Sequence, residues 1–195
     1  MDLGVREKNR SERRGALVTA AYELFRERGF GGTTMDDVAD HAGVSRRTAF
    51  RYFGSKDDLV FPQRAERLAL LQRELAPRAG EEPIATVKRA CLSVARNYAA
   101  SKRQMLEQWR VVQAEPALIG RELQLDRAFE KAIEDAFAAD GSSRRRARIR
   151  AAAIVGAVRA TLREWLEDGA TGDLVRLGRE TFSELERGFA RENER

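Results

Sequence analysis

At 195 residues, with 43% hydrophobic and 34% charged side chains, the chain can form one ordinary domain or two small ones around a real apolar core. Four prolines and 15 glycines exclude a low-complexity chain, and the single Cys91 excludes an intramolecular disulfide. A net charge of +5 leans towards polyanionic partners; no apolar run reaches the ~20 residues of a membrane span, and the polar N-terminus does not read as a signal peptide, so a soluble, cytoplasmic protein with no membrane partner is expected.

Residues 1–10 are polar and without periodicity, and read as a flexible arm; positions 6–14 carry five basic residues against Glu7 and Glu12. Ser11 is an N-cap for a first helix, in which Leu17, Val18, Ala21, Leu24 and Phe25 recur at helical spacing. Gly15 is its weak point, and Arg28-Gly29 closes it. After the Gly31-Gly32 turn, Thr34 and Asp37 form an N-terminal capping box, with Asp in place of the usual Glu or Gln, and Val38, Ala39 and Ala42 supply a buried side. Gly43 stops that helix. Ser45 caps a third, from about Arg46 to Phe53, and Ser55 with Asp58 begins a fourth that reaches about Leu75. Pro62 interrupts the fourth: it removes a backbone donor and crowds the preceding turn, so a kink or break is expected near Phe61.

Pro77 to Pro83 is a linker. Beyond it, Ile84, Val87, Cys91, Val94 and Tyr98 share one helix face, and Lys102 to Ala114 form a shorter helix. Pro116 starts another, striped by Leu118, Leu125, Phe129, Ile133 and Phe137. Ser142 or Ser143 opens a long helix to about Glu167, whose middle, AAAIVGAV, is apolar on every side and therefore expected to be buried. A last helix carries Leu174, Leu177, Phe182, Leu185 and Phe189 along one side. The fold class is all-α, about nine helices, divided into residues 1–58, an N-terminal arm and helix-turn-helix, and residues 59–195, a helical body for ligand binding and dimerisation.

An enzyme is not expected. The only histidine, His41, lies inside the helix-turn-helix, and one Cys with one His cannot make an ordinary zinc site or a nucleophile–base pair elsewhere. Neither phosphate-cradling glycine motif occurs, and no cofactor is called for. A recognition helix in a major groove needs donors near its start, small residues where it meets the duplex and apolar residues beneath. Arg46, Arg47 and Arg51 are the donors, Thr48 and Ala49 the small residues, Phe53 the anchor, and Phe50 a further outward position. Thr34, Ser45 and Ser55 each open a helix whose first N–H groups suit phosphate, and Lys56 adds a cation there.

The run AAYELFRERGFGGTTMDDVADHAGVSRRTAFRYFGSKDDL, from Ala20 to Leu59, resembles the DNA-binding domain of TetR-type transcriptional regulators. The resemblance implies an all-helical homodimer binding a palindromic operator in double-stranded DNA, usually as a repressor released by a small ligand. It places Thr34 at a phosphate-contacting helix start, Ser45, Arg46, Arg47, Thr48 and Phe50 on the recognition helix, and Tyr52 and Lys56 against the DNA backbone. The family often has Tyr where this chain has Phe50, so a hydrogen-bond donor is lost there. Further on, QWRVVQAEPAL and the Ala-rich helix ending in Trp165 resemble the branch containing mycofactocin-type regulators, which implies a hydrophobic or acyl-CoA-like ligand.

A pocket for such a ligand draws on Tyr98, Met105, Trp109 and Phe129, large residues on helices expected to face one another and equally suited to a core. Arg159, with Arg163 one turn on, meets an anionic ligand, is solvated, or pairs with Glu164 and Glu167. The arginine run Arg144 to Arg150 reads as a solvated first turn, or as a site for an acidic group. Ala153, Gly156, Ala157 and Ala160 permit close helix approach, and with Leu174, Phe182, Leu185 and Phe189 they form the expected dimer interface. A ligand-independent regulator or activator shares every DNA feature. A helical interaction protein without DNA binding is the other alternative.

Overall fold

The computed structural model describes residues 3–188. Among them every regular element is a helix, and there are ten. The extra one comes from Pro62: the fourth expected helix is cut into α4 (Lys56–Val60) and α5 (Arg64–Glu74), with Phe61 leaving helical backbone at φ −115°, ψ 51°. The break is the one a missing N–H and a ring clash impose.

The chain forms two compact units. The first comprises residues 1–63 and 107–121. Its long α1 (Leu3–Arg28) packs on α2 (Met35–His41) and α4, and α2 packs on α3 (Arg46–Tyr52). Leu17, Ala21, Leu24, Val38, Ala49 and Leu59 are almost fully buried at its centre. The expected arm is helix from Leu3 onward, and Ser11 lies inside α1 rather than capping it. Arg, Glu and Lys are good helix formers without any apolar stripe, so lack of periodicity was no sign of lack of helix. The three capped starts are present. Asp37 N–H donates to Thr34 Oγ1 (3.1 Å) while Thr34 N–H donates to Asp37 Oδ2 (2.8 Å). Thr48 N–H donates to Ser45 Oγ (3.3 Å), and Ser55 and Asp58 form the second reciprocal box. Gly43, at φ +66°, turns the chain from α2 to α3 in a conformation L side chains resist.

The second unit comprises residues 64–106 and 122–195. Here α6 (Pro83–Ala100) packs on α5 and on α10 (Leu174–Arg187), and α10 packs on α9 (Arg144–Glu167). Leu71, Val87, Ala90, Ile133, Phe137, Ala151 and Phe182 form its core. The remaining helices, α7 (Lys102–Ala114) and α8 (Pro116–Ala139), each supply residues to both units. The linker before α6 is fastened by Arg89, which donates to Glu81 (2.9 and 2.7 Å) and to the carbonyls of Glu74 (2.7 Å) and Ala76 (3.1 Å). The Arg89 hydrogen bonds hold the Glu81 carboxyl down at about 2.

One expectation about α9 fails. Within the single chain Ala151 and Ile154 are buried, but Ala152, Ala153 and Ala160 are exposed and Val155, Gly156 and Ala157 half-buried. Small apolar residues carry little area, so the run does not force burial on every side.

Candidate nucleic-acid interface

Helix α3 is held from beneath and open above. Ala49 and Phe53 are buried, at 0% and 4% exposure, whereas Arg46, Arg47, Phe50 and Arg51 are exposed and Thr48 and Tyr52 half-buried. Two apolar residues four apart fix the roll of the helix, which turns the three arginines outward. Arg46 Nη1 lies 3.0 Å from Asp36 Oδ2 on α2, and its guanidinium sits 5.6 Å from the centre of the Phe50 ring. Arg51 lies over the Tyr52 ring at 5.4 Å. Thr48 and Ser45 share a hydroxyl–hydroxyl bond of 3.0 Å, so Ser45 is engaged in the cap as well as exposed.

At the start of α2 the Thr34 hydroxyl donates to Asp37 Oδ2 (2.6 Å). That bond, the Thr34 N–H and then Arg28 hold the Asp37 carboxyl below its ordinary value. With its proton committed, the Thr34 hydroxyl meets an anion poorly, and the helix-start N–H groups are the available donors. His41 pairs with Glu23 at 3.0 Å across to α1.

Lys56 faces inward. Its ammonium donates to the carbonyls of Phe30 (2.6 Å) and Thr33 (2.7 Å) and rests 4.0 Å from the centre of the Phe30 ring. Two of its three N–H donors therefore hold the α1–α2 turn, which leaves one for a DNA phosphate. Sequence reading misses this because the partners lie 23 and 26 residues away. A cleft of about 560 Å³ opens beside the last turn of α3, lined by Asn9, Arg10, Arg13, Arg51 and Tyr52.

In the second unit the expected pocket residues fall into separate contacts. Tyr98, 8% exposed, lies under the Arg67 guanidinium at 4.1 Å; Phe129, half-buried, lies under that of Arg64 at 4.3 Å. Met105 is buried. Arg159 stands 3.5 Å from Asp126, which also accepts from Arg64. Its partner is thus an acid 33 positions back rather than Glu164 or Glu167, a separation no helical spacing could reveal. Trp109 belongs to the first unit. Sequence reading overlooked Arg64, Arg67, Glu122 and Asp126. Burial, and then Asp126 beside it, push the Glu122 carboxyl up, against the pull of Arg64, Arg163 and Arg159. Arg67, only 3% exposed, also donates to Asn97 (3.0 Å).

Of the expected dimer residues, Ala153 and Ala160 are exposed, and Gly156, Ala157 and Leu185 half-buried. Leu174 and Phe182 are corrected: at 4% and 1% exposure they are buried within their own chain against neighbouring helices, and offer a partner no area. Phe189 lies outside the described residues. All five arginines of the run, Arg144, Arg145, Arg146, Arg148 and Arg150, are exposed, and the Arg150 guanidinium lies 5.4 Å from the centre of the Phe137 ring.

Residues 17–61 match the model of the bacterial regulatory proteins of the tetR family, and residues 81–190 match that of the MftR C-terminal domain. Over 66 residues the chain is 44% identical to the HTH-type transcriptional activator FasR of Mycolicibacterium smegmatis, covering 34% of this chain and 27% of FasR. Matched segments span between 25% and 49% of the length of such curated relatives. The fold is similar to that of NalD, a repressor of a multidrug efflux pump in Pseudomonas aeruginosa, at TM-score 0.65 and 21% identity, over 94% of this chain and 99% of that one. It is also similar to the FadR repressor of Thermus thermophilus, solved with lauroyl-CoA, at TM-score 0.60 and 22% identity, over 93% and 97% of the two chains.

Proposed function

The chain belongs to the tetR family of bacterial regulatory proteins, and on that premise we propose that it is a homodimeric repressor that binds a palindromic operator and leaves it when a small ligand binds. The observation that carries the reading is α3 itself: three exposed arginines on a helix whose roll is fixed by buried Ala49 and Phe53, behind two further capped starts. Residues 1–58 bind the DNA. Thr34 and Ser45 open the helices that meet phosphate, Arg46, Arg47, Thr48, Phe50 and Arg51 face the groove, and Tyr52 with the remaining donor of Lys56 faces the backbone.

Residues 59–195 bind the ligand and the second copy. The exposed small residues Ala153 and Ala160, with Gly156, Ala157 and Leu185, let two α9 helices approach closely. A hydrophobic or acyl-CoA-like ligand is the class we favour, supported by the MftR-type match and by the lauroyl-CoA in FadR. It releases DNA only by the difference in its affinity for the two states of the protein. An activator is the second reading, since FasR is named one. That identity covers a third of the chain and bears on DNA binding more than on its consequence.

Selection of bound sequences from random duplex DNA tests the proposal. A two-fold symmetric site is expected, with half-sites about 10 base pairs apart centre to centre. Arg46→Ala or Arg47→Ala then costs about 1–3 kcal/mol on that site if either reads a guanine. Enrichment of no sequence removes the DNA reading, and a monomer at micromolar concentration in sedimentation removes the symmetric one.

A further inference from the structure

The basic stretch at positions 6–14 lies in a helix that begins 14 residues before the family match at residue 17. Arg14 fixes that part of α1: its guanidinium lies 5.1 Å from the centre of the Phe53 ring and donates to the Pro62 carbonyl. Two turns on, the buried Tyr22 hydroxyl donates to the Val60 carbonyl (2.8 Å). Held this way, the turn carrying Asn9, Arg10 and Arg13 stands opposite Arg51 and Tyr52, and the five line one cleft of about 560 Å³. Arg10 and Arg13 are three apart and share a helix face. Three guanidinium groups, an amide and a phenol line the cleft, with no acidic side chain among the described residues there.

Such a wall suits an anion with several acceptor oxygens and rejects a cation. Because Arg51 and Tyr52 form the last turn of the proposed recognition helix, we infer that this cleft takes a backbone phosphate of the bound duplex, flanking the half-site that α3 reads. The inference rests on the DNA-binding reading and extends it. The N-terminal turns of α1 add contacts that read no sequence, so this protein covers more backbone than the matched 17–61 segment would alone.

The test compares the full chain with Arg10→Gln/Arg13→Gln and Arg10→Lys/Arg13→Lys on the selected site and on random duplexes of about 30 base pairs, across a salt series. With both arginines lost, the contact to that one phosphate goes, so the slope of log affinity against log salt should shrink by about 0.9, and Kd in ~0.1 M salt should rise about 8-fold. The loss should be equal on both duplexes, and the lysine variant should keep the slope. An unchanged slope and Kd overturn the inference, and so does a loss confined to the selected site. If Arg46→Ala abolishes sequence preference while the glutamine variant behaves as the parent, the DNA reading stands and the cleft does not. A parent chain without salt-dependent duplex binding overturns both.

Discussion

Lys56→Met removes an ammonium that two backbone carbonyls and an aromatic ring share, and keeps most of the aliphatic stem. Phe30 and Thr33 present their carbonyls at the end of the α1–α2 turn, in part-buried positions 2.6 and 2.7 Å from the nitrogen. Hydrogen bonds to a charged group contribute about 1.5–3 kcal/mol each. Water can replace the ammonium at part-buried carbonyls, which puts both bonds near the lower end, and the ring contact adds about 0.5–1 kcal/mol. The expected loss is thus about 3.5–4 kcal/mol, or roughly 7–16 °C in the melting of the whole chain at ~2–4 °C per kcal/mol. Urea unfolding followed by circular dichroism measures it. The same variant on DNA separates the clamp from a phosphate contact: a lone phosphate contact makes the salt slope shallower by about 0.9 with little change in stability. A stability loss under about 0.5 kcal/mol, together with that shallower slope, would refute the clamp.

Other positions give sharper yes-or-no outcomes. Gly15 sits mid-helix with nothing near the place of an added Cβ, so Gly15→Ala should stabilise by about 0.5–1 kcal/mol; Gly43→Ala, forced to φ +66°, should destabilise by about 1 kcal/mol or more. Thermal melts of the two should move in opposite directions. Glu81, held down at about 2 by Arg89, gives stability that is fully present above its ordinary 4.5 and is lost as pH falls through about 2. Glu81→Gln should therefore be less stable than the parent at neutral pH and converge with it towards pH 2; a constant offset across that window contradicts the linkage. Pro62→Ala restores the missing donor between α4 and α5 and should change operator affinity or ligand release several-fold. If gel-shift titrations with and without ligand match the parent, the break is purely structural.

The legible parts were local. Thr34 with Asp37, Ser45 with Thr48 and Ser55 with Asp58 are caps between residues three positions apart, and each has the bonds its spacing implies. Pro62 breaks the helix for reasons contained in its own ring. The family-matched segment falls where the punctuation is densest. What escaped was long-range or depended on the absence of a pattern. Arg64 and Asp126 are 62 positions apart, and nothing in either neighbourhood marks them as partners. Lys56 carries a charge that suits DNA, and only the fold shows the two carbonyls that claim it first. Residues 1–10 resemble a loose arm because helix propensity without an apolar stripe is a weak signal. The AAAIVGAV run resembles a core because hydropathy does not record how little area an alanine buries.

Arg46 is shared between the carboxylate of Asp36 on α2 and the ring of Phe50 one turn along α3. On the proposed DNA-binding reading, the base preference of Arg46 is therefore not a property of position 46 alone. In the proposed DNA-bound arrangement, a change at 36 or 50 alters where the guanidinium rests, and so shifts the operator preferred through Arg46, beyond any groove contact of Phe50 itself. Libraries that vary only α3 hold one side of this partnership fixed, and so explore a fraction of the specificities the scaffold can encode. The two helices form one alphabet, in which the meaning of an arginine depends on the letter written ten positions earlier.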